Sequence, residues 1–143
     1  MQHYLAHLDT VITHYPDSLA LVDYAGDDKR RYTFRELGEQ IVRLGRMFDF
    51  LGLKAGDKIA LVGRNCANWA VAYLSIAAYR GVIVSILQDF TPTDIARLIA
   101  HSDAKALMVG PIMWSDLSKQ NLPKLEARSE EHTSELQSLA YLV

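Results

Sequence analysis

The stretch from Gly52 to Leu87, GLKAGDKIALVGRNCANWAVAYLSIAAYRGVIVSIL, decides the fold of this chain. Its first apolar run, Ile59 to Val62, has the composition of a short strand buried on both faces of a parallel sheet. The residues from Trp69 to Arg80 are apolar nearly all round, which is typical of a helix that packs on more than one side. Gly81 is expected to end that helix, and the β-branched run Val82 to Leu87 predicts a second strand. Strand, helix and strand form a βαβ unit, which should be right-handed.

The residues before this unit predict a helix, a hairpin and a second helix. Apolar side chains recur at three- and four-residue steps from Tyr4 to His14, as in a short amphipathic helix. Two apolar runs between Leu19 and Thr33 flank a segment of turn composition, which predicts a β-hairpin. Thr33 and Glu36 have the spacing of a capping box, so a long amphipathic helix should begin there and end at Gly52.

The residues after the unit repeat the pattern. Thr91 and Pro92 predict the start of another helix, and Lys105 to Val109 (KALMV) predicts a third strand. A further helix over Ile112 to Lys124 has a weaker pattern. The sequence therefore predicts an α/β fold: the amino-terminal part of a layered, mostly parallel sheet with covering helices. The sheet should be incomplete, with unpaired edges and one uncovered face.

The composition changes after residue 127. The run RSEEHTSELQS, from Arg128 to Ser138, has no apolar period and resembles the translated product of a sequencing adapter. Its one arginine and three glutamates account for the net charge of −2 of the whole chain. We predict that residues 1–127 form a partial subdomain and that residues 128–143 are non-native read-through; the alternative is a genuine disordered polar terminus.

Length and composition exclude several classes of protein. With 143 residues, the chain is long enough for one domain with a real core. Lysine and arginine are scattered and the net charge is slightly negative, so nucleic acid is not an expected partner. The single cysteine, Cys66, excludes an internal disulfide, and the first residues lack a signal peptide, so we expect a cytoplasmic protein. The longest strongly apolar window falls short of the roughly 20 residues that span a bilayer. We therefore predict no transmembrane segment, which leaves peripheral membrane association open.

Three candidate chemical motifs are weak. The turn Gly52 to Lys58 (GLKAGDK) superficially resembles a phosphate loop, but its glycines are too close and a strand, not a helix, follows. Cys66 near a helix start could be a nucleophile, but the available base, His101, lies three elements away. His3 and His7 are one helical turn apart without a third metal ligand nearby, so we interpret them as surface residues.

The carboxyl ends of the strands contain the remaining polar candidates. Asn65 and Asn68 are both candidates to cap the helix that follows. Asp89 is the only acid at an edge where open α/β sheets usually bind ligands. We therefore predict no catalytic, cofactor-binding or metal-binding residue in this chain.

Three stretches together resemble one known family. They are RRYTFRELGEQIVRLGRMFDFLGLKAGDKIALVGRNCANW, AVAYLSIAAYRGVIVSIL and FTPTDIARLIAHSDAKALMV. They are similar to the amino-terminal region of the AMP-binding, adenylate-forming acyl-CoA synthetases, which include the long-chain fatty acid CoA ligases. The alignment with the family pattern keeps one register from Leu19 to Val109. Over this range the turn glycines, the helix starts and their spacing all agree with the family.

The resemblance implies a parent enzyme that uses ATP and Mg²⁺ to convert a carboxylic acid, such as a fatty acid, to an acyl-adenylate. The acyl group then passes to coenzyme A. The family's phosphate loop, magnesium ligand and mobile carboxyl-terminal domain have no counterpart in these residues. We interpret the chain as a truncated fragment of such a synthetase, inactive by itself.

Two alternatives remain at this point. The chain could be a stand-alone α/β ligand-binding or interaction module with its cleft at the strand ends, near Arg64 to Asn68 and Gln88 to Phe90. Within the same fold, the parent could instead be an adenylate-forming ligase with a carrier protein or another acceptor.

Overall fold

The computed structural model describes residues 3–24, 30–123 and 141–142. The helices are α1 (Tyr4–His14), α2 (Phe34–Phe50), α3 (Ala67–Ala78), α4 (Pro92–Ser102) and α5 (Pro111–Leu117). The strands are β1 (Leu19–Val22), β2 (Arg31–Thr33), β3 (Lys58–Val62), β4 (Val82–Ile86), β5 (Ala106–Val109) and β6 (Tyr141–Leu142). The α/β class predicted from the sequence is confirmed.

The main sheet has the strand order β4-β3-β5-β6. The central strand β3 runs parallel to β4 and β5, whereas β6 pairs antiparallel with β5. The predicted hairpin is also present, because β1 and β2 pair antiparallel in a separate sheet. Its predicted turn, residues 25–28, lies outside the described residues.

Alternate side chains of β3 face two separate apolar cores. Ile59 and Leu61 pack with buried residues of α2 and α3 on one face of the sheet. Ala60 and Val62 pack with buried residues of α4 and α5 on the other face. The expectation of an uncovered face was therefore wrong. The short helix after β5, only weakly indicated by the sequence, supplies Leu117 to the second core.

Helix α2 begins at the predicted capping box. The backbone N–H of Glu36 donates to Thr33 Oγ1 at 3.2 Å, and the backbone N–H of Thr33 donates to Glu36 Oε2 at 2.7 Å. The helix then buries Leu37, Leu44 and Phe48 against the sheet. Because both capping bonds are local in sequence, the start of this helix could be read from residues 33–36 alone.

Helices α2 and α3 end in the same backbone motif with different residues. A left-handed residue follows each helix: Gly52, with φ of 75°, and Arg80, with φ of 64°. In each case the next backbone amide donates to a carbonyl five residues earlier: Leu53 to the Phe48 carbonyl at 3.0 Å, and Gly81 to the Ile76 carbonyl at 2.9 Å. This pattern is the Schellman motif, which normally places glycine at the left-handed position.

The predicted end of α3 is corrected by this geometry. The sequence placed the helix over residues 69–80 with Gly81 as its cap, whereas α3 spans Ala67–Ala78 and Arg80 is the left-handed residue. Gly81 is required for a different reason. A Cβ atom there would lie 2.9 Å from Ile76 Cγ2, so the close approach of the chain to Ile76 excludes a side chain.

Replacing Arg80 with glycine is expected to stabilise the fold by about 1 kcal/mol. A left-handed backbone costs an ordinary residue roughly 1–2 kcal/mol, and the larger unfolded-state entropy of glycine offsets part of that gain. Urea unfolding of Arg80→Gly should show a higher midpoint. Gly52→Ala is the matched control. It should lower the midpoint, because it places a Cβ atom on a residue with the same left-handed backbone conformation. A lower midpoint for Arg80→Gly would contradict the strain argument.

The carboxyl-terminal predictions have mixed outcomes. Helix α5 is shorter than the predicted helix over residues 112–124 and ends at Leu117. Most of residues 128–143 lie outside the described residues, so their interpretation as read-through stays a prediction. Within that segment, β6 pairs its Tyr141 and Leu142 with Val109 and Met108 of β5.

Candidate functional site

The carboxyl edge of the parallel strands is the candidate site that the topology provides. Helix α3 follows β3 on one face of the sheet, and α5 follows the neighbouring strand β5 on the opposite face. Open α/β sheets usually bind ligands at such a point, where the connections diverge. The sequence analysis placed the cleft beyond β3 and β4, whereas the divergence lies between β3 and β5.

Two glycines lie side by side at this point. The backbone N–H of Gly110 donates to the Val62 carbonyl at 3.2 Å. A Cβ at Gly63 would lie 3.7 Å from Trp69 Cδ1 and 3.9 Å from the Gly110 amide nitrogen. The absence of side chains thus keeps the backbone accessible between the two strand ends. A glycine immediately after each of two predicted strands is the sequence signal that could have located this position.

The two asparagines predicted to cap α3 do not do so. Cys66 is the N-cap residue, and its side chain makes no capping hydrogen bond. Asn68 lies within the first turn of α3, where its Oδ1 accepts a hydrogen bond from the Tyr32 hydroxyl at 2.9 Å. Asn65 is exposed in the loop before the helix. The capping prediction was wrong because α3 begins at Ala67, which places Asn68 inside the helix, where its side chain binds a residue 36 positions earlier in the chain.

Tyr32 connects the hairpin to this edge of the sheet. Burial raises the pKa of the Tyr32 hydroxyl, and the nearby Arg30 guanidinium acts in the opposite direction. The hydroxyl therefore stays protonated at neutral pH and can donate to Asn68. This hydrogen bond orients the start of α3, which is a structural role.

The candidate nucleophile and base lie at opposite ends of the sheet. Cys66 follows the carboxyl end of β3, whereas His101 is in the last turn of α4, shortly before the amino end of β5. Their separation thus spans at least the length of a strand, so they cannot form a catalytic pair. Asp89 is exposed in the loop after β4.

The histidines near the start of the chain contribute to helix α1. His3 is its N-cap, and the Nδ1 atom accepts a hydrogen bond from the Leu5 amide at 3.3 Å. Its ring also stacks on Tyr4 at a centroid distance of 4.7 Å. Within the part of the chain that the structure describes, no group of three or more His, Cys, Asp or Glu side chains could hold a metal ion.

The turn that superficially resembles a phosphate loop binds its own carboxylate. The backbone N–H of Lys54 donates to Asp57 Oδ2 at 2.8 Å, and Lys105 Nζ lies 3.1 Å from Asp57 Oδ1. The bond from Lys54, assisted by the Lys105 ammonium, holds the pKa of Asp57 below its usual value. The carboxylate thus takes one of the amides that a phosphate would need, and β3 follows instead of a helix.

This arrangement predicts a stability difference that depends on pH. Because the pKa of Asp57 is lower in the folded chain than in the unfolded chain, its ionised form stabilises the fold above about pH 4. That contribution is lost as pH falls through the folded-state value. Asp57→Asn should therefore lower the melting temperature at pH 7, and the difference from the parent chain should shrink towards pH 2. Asp116→Asn, at an exposed ion pair with Lys119, is the control and should change little at either pH. If Asp57→Asn lowered the melting temperature by the same amount from pH 7 to pH 2, the stabilising role of the ionised Asp57 carboxylate would be contradicted.

A groove of about 810 Å³ is lined by residues of α1 and α2. Its lining is largely apolar and includes Leu5, Leu8, Ile12, Ile41 and Ala78. Its lining also includes arginines and acids, and one of them, Arg35, forms an ion pair with Asp17 at 3.0 Å. The groove has room for an apolar group, but the residues that line it include no nucleophile paired with a base.

Comparison with known proteins agrees with this fold. The sequence profile of the AMP-binding enzyme family matches residues 8–141. An acyl-CoA ligase, sidI of Aspergillus fumigatus, is 24% identical over 71% of this chain and 17% of its own length. The long-chain-fatty-acid–[acyl-carrier-protein] ligase AEE15 of Arabidopsis thaliana is 30% identical over 66% of this chain and 13% of its own length. The chain thus spans less than a fifth of either relative.

A solved structure shows the same fold. The crystal structure of the nonribosomal peptide synthetase FmoA3 superposes with a TM-score of 0.74 at 21% identity, covering 85% of this chain and 13% of that protein. The matched region is the amino-terminal part of these larger proteins. Because the family profile covers nearly the whole sequence, the chain belongs to the AMP-binding enzyme family.

Proposed function

We propose that this chain is the amino-terminal piece of an ATP-dependent acyl-CoA synthetase, located in the cytoplasm. The parent enzyme would join a carboxylic acid to AMP with release of pyrophosphate, and then transfer the acyl group to the thiol of coenzyme A. The observation that carries this proposal is the family match over residues 8–141 in a chain that spans 17% of an acyl-CoA ligase.

The described residues do not fit ATP or Mg²⁺. The glycine-containing turn from Gly52 to Lys58 binds its own Asp57 and precedes a strand. No described cluster of acids could hold a metal ion. The groups that bind the nucleotide and its magnesium are therefore assigned to the rest of the parent enzyme. The role of this chain is to supply part of the sheet that supports them.

A fatty acid is the proposed acyl substrate of the parent. The name of the Arabidopsis relative supports a long-chain acid, and it also supports a second candidate function, in which the acceptor is a carrier protein. A parent enzyme that charges coenzyme A but not acyl carrier protein would exclude that second function.

No described helix is both long and apolar enough to cross a bilayer.

The stand-alone binding module is the rival from another class. Its ligand would bind at the carboxyl edge of the sheet, where Gly63 and Gly110 keep the backbone accessible. Thermal unfolding of the chain with ATP, AMP or acyl-CoA distinguishes the two proposals. A rise in melting temperature that depends on ligand concentration would favour the module.

Sequencing of the genomic reading frame beyond Ala127 is expected to reveal further coding sequence in place of RSEEHTSELQS. That sequence should include a loop rich in Ser, Thr and Gly with a lysine, which is the phosphate-binding segment that the family requires. A genomic frame that encodes RSEEHTSELQS and stops at Val143 would contradict both the read-through interpretation and the proposed parent enzyme.

A further inference from the structure

Strand β5 is paired on both sides, but to different extents. On its inner side, all four residues of Ala106–Val109 pair with β3. On its outer side, Met108 and Val109 pair with Leu142 and Tyr141 of β6. In the sheet order β4-β3-β5-β6, a strand of two residues therefore covers the outer side of β5.

The backbone N–H and C=O groups of residues 106–109 that face away from β3 form what we call the β5 edge. The strand sequence, ALMV, contains no charge, proline or glycine. It pairs with β3 in unbroken register, so no bulge turns the β5 edge aside. All four side chains are at most 1% exposed, because the two apolar cores cover both faces of the strand. A second chain could therefore reach β5 only through the β5 edge.

Strand β6 has the properties of a protecting edge strand. Soluble proteins often close a sheet with a very short edge strand, and otherwise parallel sheets often carry an antiparallel strand at the edge. Strand β6 is both, since it has two residues and pairs antiparallel with β5. So short a strand offers few backbone groups to a further chain.

The covalent connection favours pairing within one chain. A strand of two residues makes few hydrogen bonds, so as a separate molecule it would bind β5 weakly. Residues 110–140 join the two strands, and the entropic cost of closing such a loop rises only slowly with its length. A tether of this kind can give a local concentration on the order of 1 mM, far above that of a second chain in dilute solution.

We propose that the β5 edge is a strand-binding surface and that its occupant is the chain's own segment, Tyr141–Leu142. Bound there, this segment prevents β5 from pairing with a strand of a second copy. The inference is independent of the proposed synthetase function, because it uses only the pairing of β5 with β6. It is also independent of whether residues 128–143 are native.

Hydrogen exchange of the full chain at low protein concentration tests the pairing with two matched double variants. Tyr141→Pro/Leu142→Pro removes both backbone N–H groups of β6, whereas Tyr141→Ala/Leu142→Ala shortens the same side chains and keeps those groups. Segment 106–109 should exchange about fivefold faster in the proline variant than in the parent chain, because hydrogen bonds to β6 are lost. The alanine variant should exchange more slowly than the proline variant.

The amides of α2 and β4 are the internal control for this experiment. They should exchange alike in the parent chain and both variants, which would show that the fold is intact. A proline variant whose segment 106–109 exchanges as slowly as that of the parent chain would overturn the proposal.

Protein concentration distinguishes a strand of the same chain from a strand of a second copy. In the parent chain, exchange of segment 106–109 should not depend on concentration. Protection that increases with concentration would assign the paired strand to a second copy and would overturn the proposal.

Sedimentation velocity tests the protective role of β6. The proline variant should associate more than the parent chain at the same concentration, because its β5 edge is open to a second copy. The alanine variant should associate less than the proline variant. A proline variant that associates no more than the parent chain would overturn the protective role.

Discussion

No pyrophosphate is expected when the 143-residue chain is incubated with ATP, Mg²⁺, coenzyme A and a series of carboxylic acids. Enzymes accelerate their reactions by at least about 10⁶-fold, chiefly through groups that hold and polarise the reacting atoms. The described residues supply neither a phosphate loop nor a cluster that could hold a metal ion. The release of pyrophosphate, followed with a coupled enzyme assay, should therefore equal that of buffer.

A full-length acyl-CoA ligase of the same family is the positive control for this assay. A contaminating ligase from the expression host would give a false signal, so a variant chain that cannot fold should be purified in parallel. Pyrophosphate release by the folded chain that disappears in the unfolded variant would contradict the prediction. It would also mean that residues of this chain alone can activate a carboxylic acid.

Elements with local start and stop signals were predictable from the sequence. The capping box at Thr33 and Glu36 needs only four consecutive residues, and the apolar runs of β3 and β4 are flanked by turn residues. The end of α3 was not predictable in the same way. Arg80 adopts the conformation that glycine normally takes, and the glycine stands at the next position, where a Cβ would lie 2.9 Å from Ile76 Cγ2.

The candidate site depends on contacts between distant parts of the chain. The carboxyl edge of the sheet could be predicted, since Arg64 and Asp89 each follow a predicted strand. The divergence between β3 and β5 could not, because strand spacing does not determine that the sheet order is β4-β3-β5. Asn68 illustrates the same limit, since its partner Tyr32 belongs to the hairpin.

Phe48→Ala is expected to destabilise the fold by about 3–5 kcal/mol, the largest effect of any single substitution considered for this chain. Phe48 is fully buried, and it contributes to the core between α2, α3 and the sheet. Its ring also packs edge-on against Tyr79 at a centroid distance of 5.2 Å. Truncation therefore removes both the apolar surface and the support for a second aromatic ring.

Tyr79 extends the effect of the Phe48 truncation to the contact between α2 and α3. Its hydroxyl lies 2.7 Å from Asp49 Oδ1 and 2.6 Å from the Leu53 carbonyl, where it can donate its proton. Burial and the Asp49 carboxylate raise the pKa of Tyr79 to about 12, so the hydroxyl remains a donor at neutral pH. The end of α3 is thus fixed to the end of α2 through the ring that contacts Phe48.

Phe50→Ala is the matched control, because it removes the same side chain from the same helix at a position that is 86% exposed. Domains of this size are stable by about 5–15 kcal/mol, so Phe48→Ala should leave a small unfolding free energy or none. Phe50→Ala should change the free energy by about 0.5 kcal/mol or less. Circular dichroism during urea unfolding measures both variants against the parent chain. Equal losses for the two phenylalanines would mean that α2 does not pack on the sheet as described.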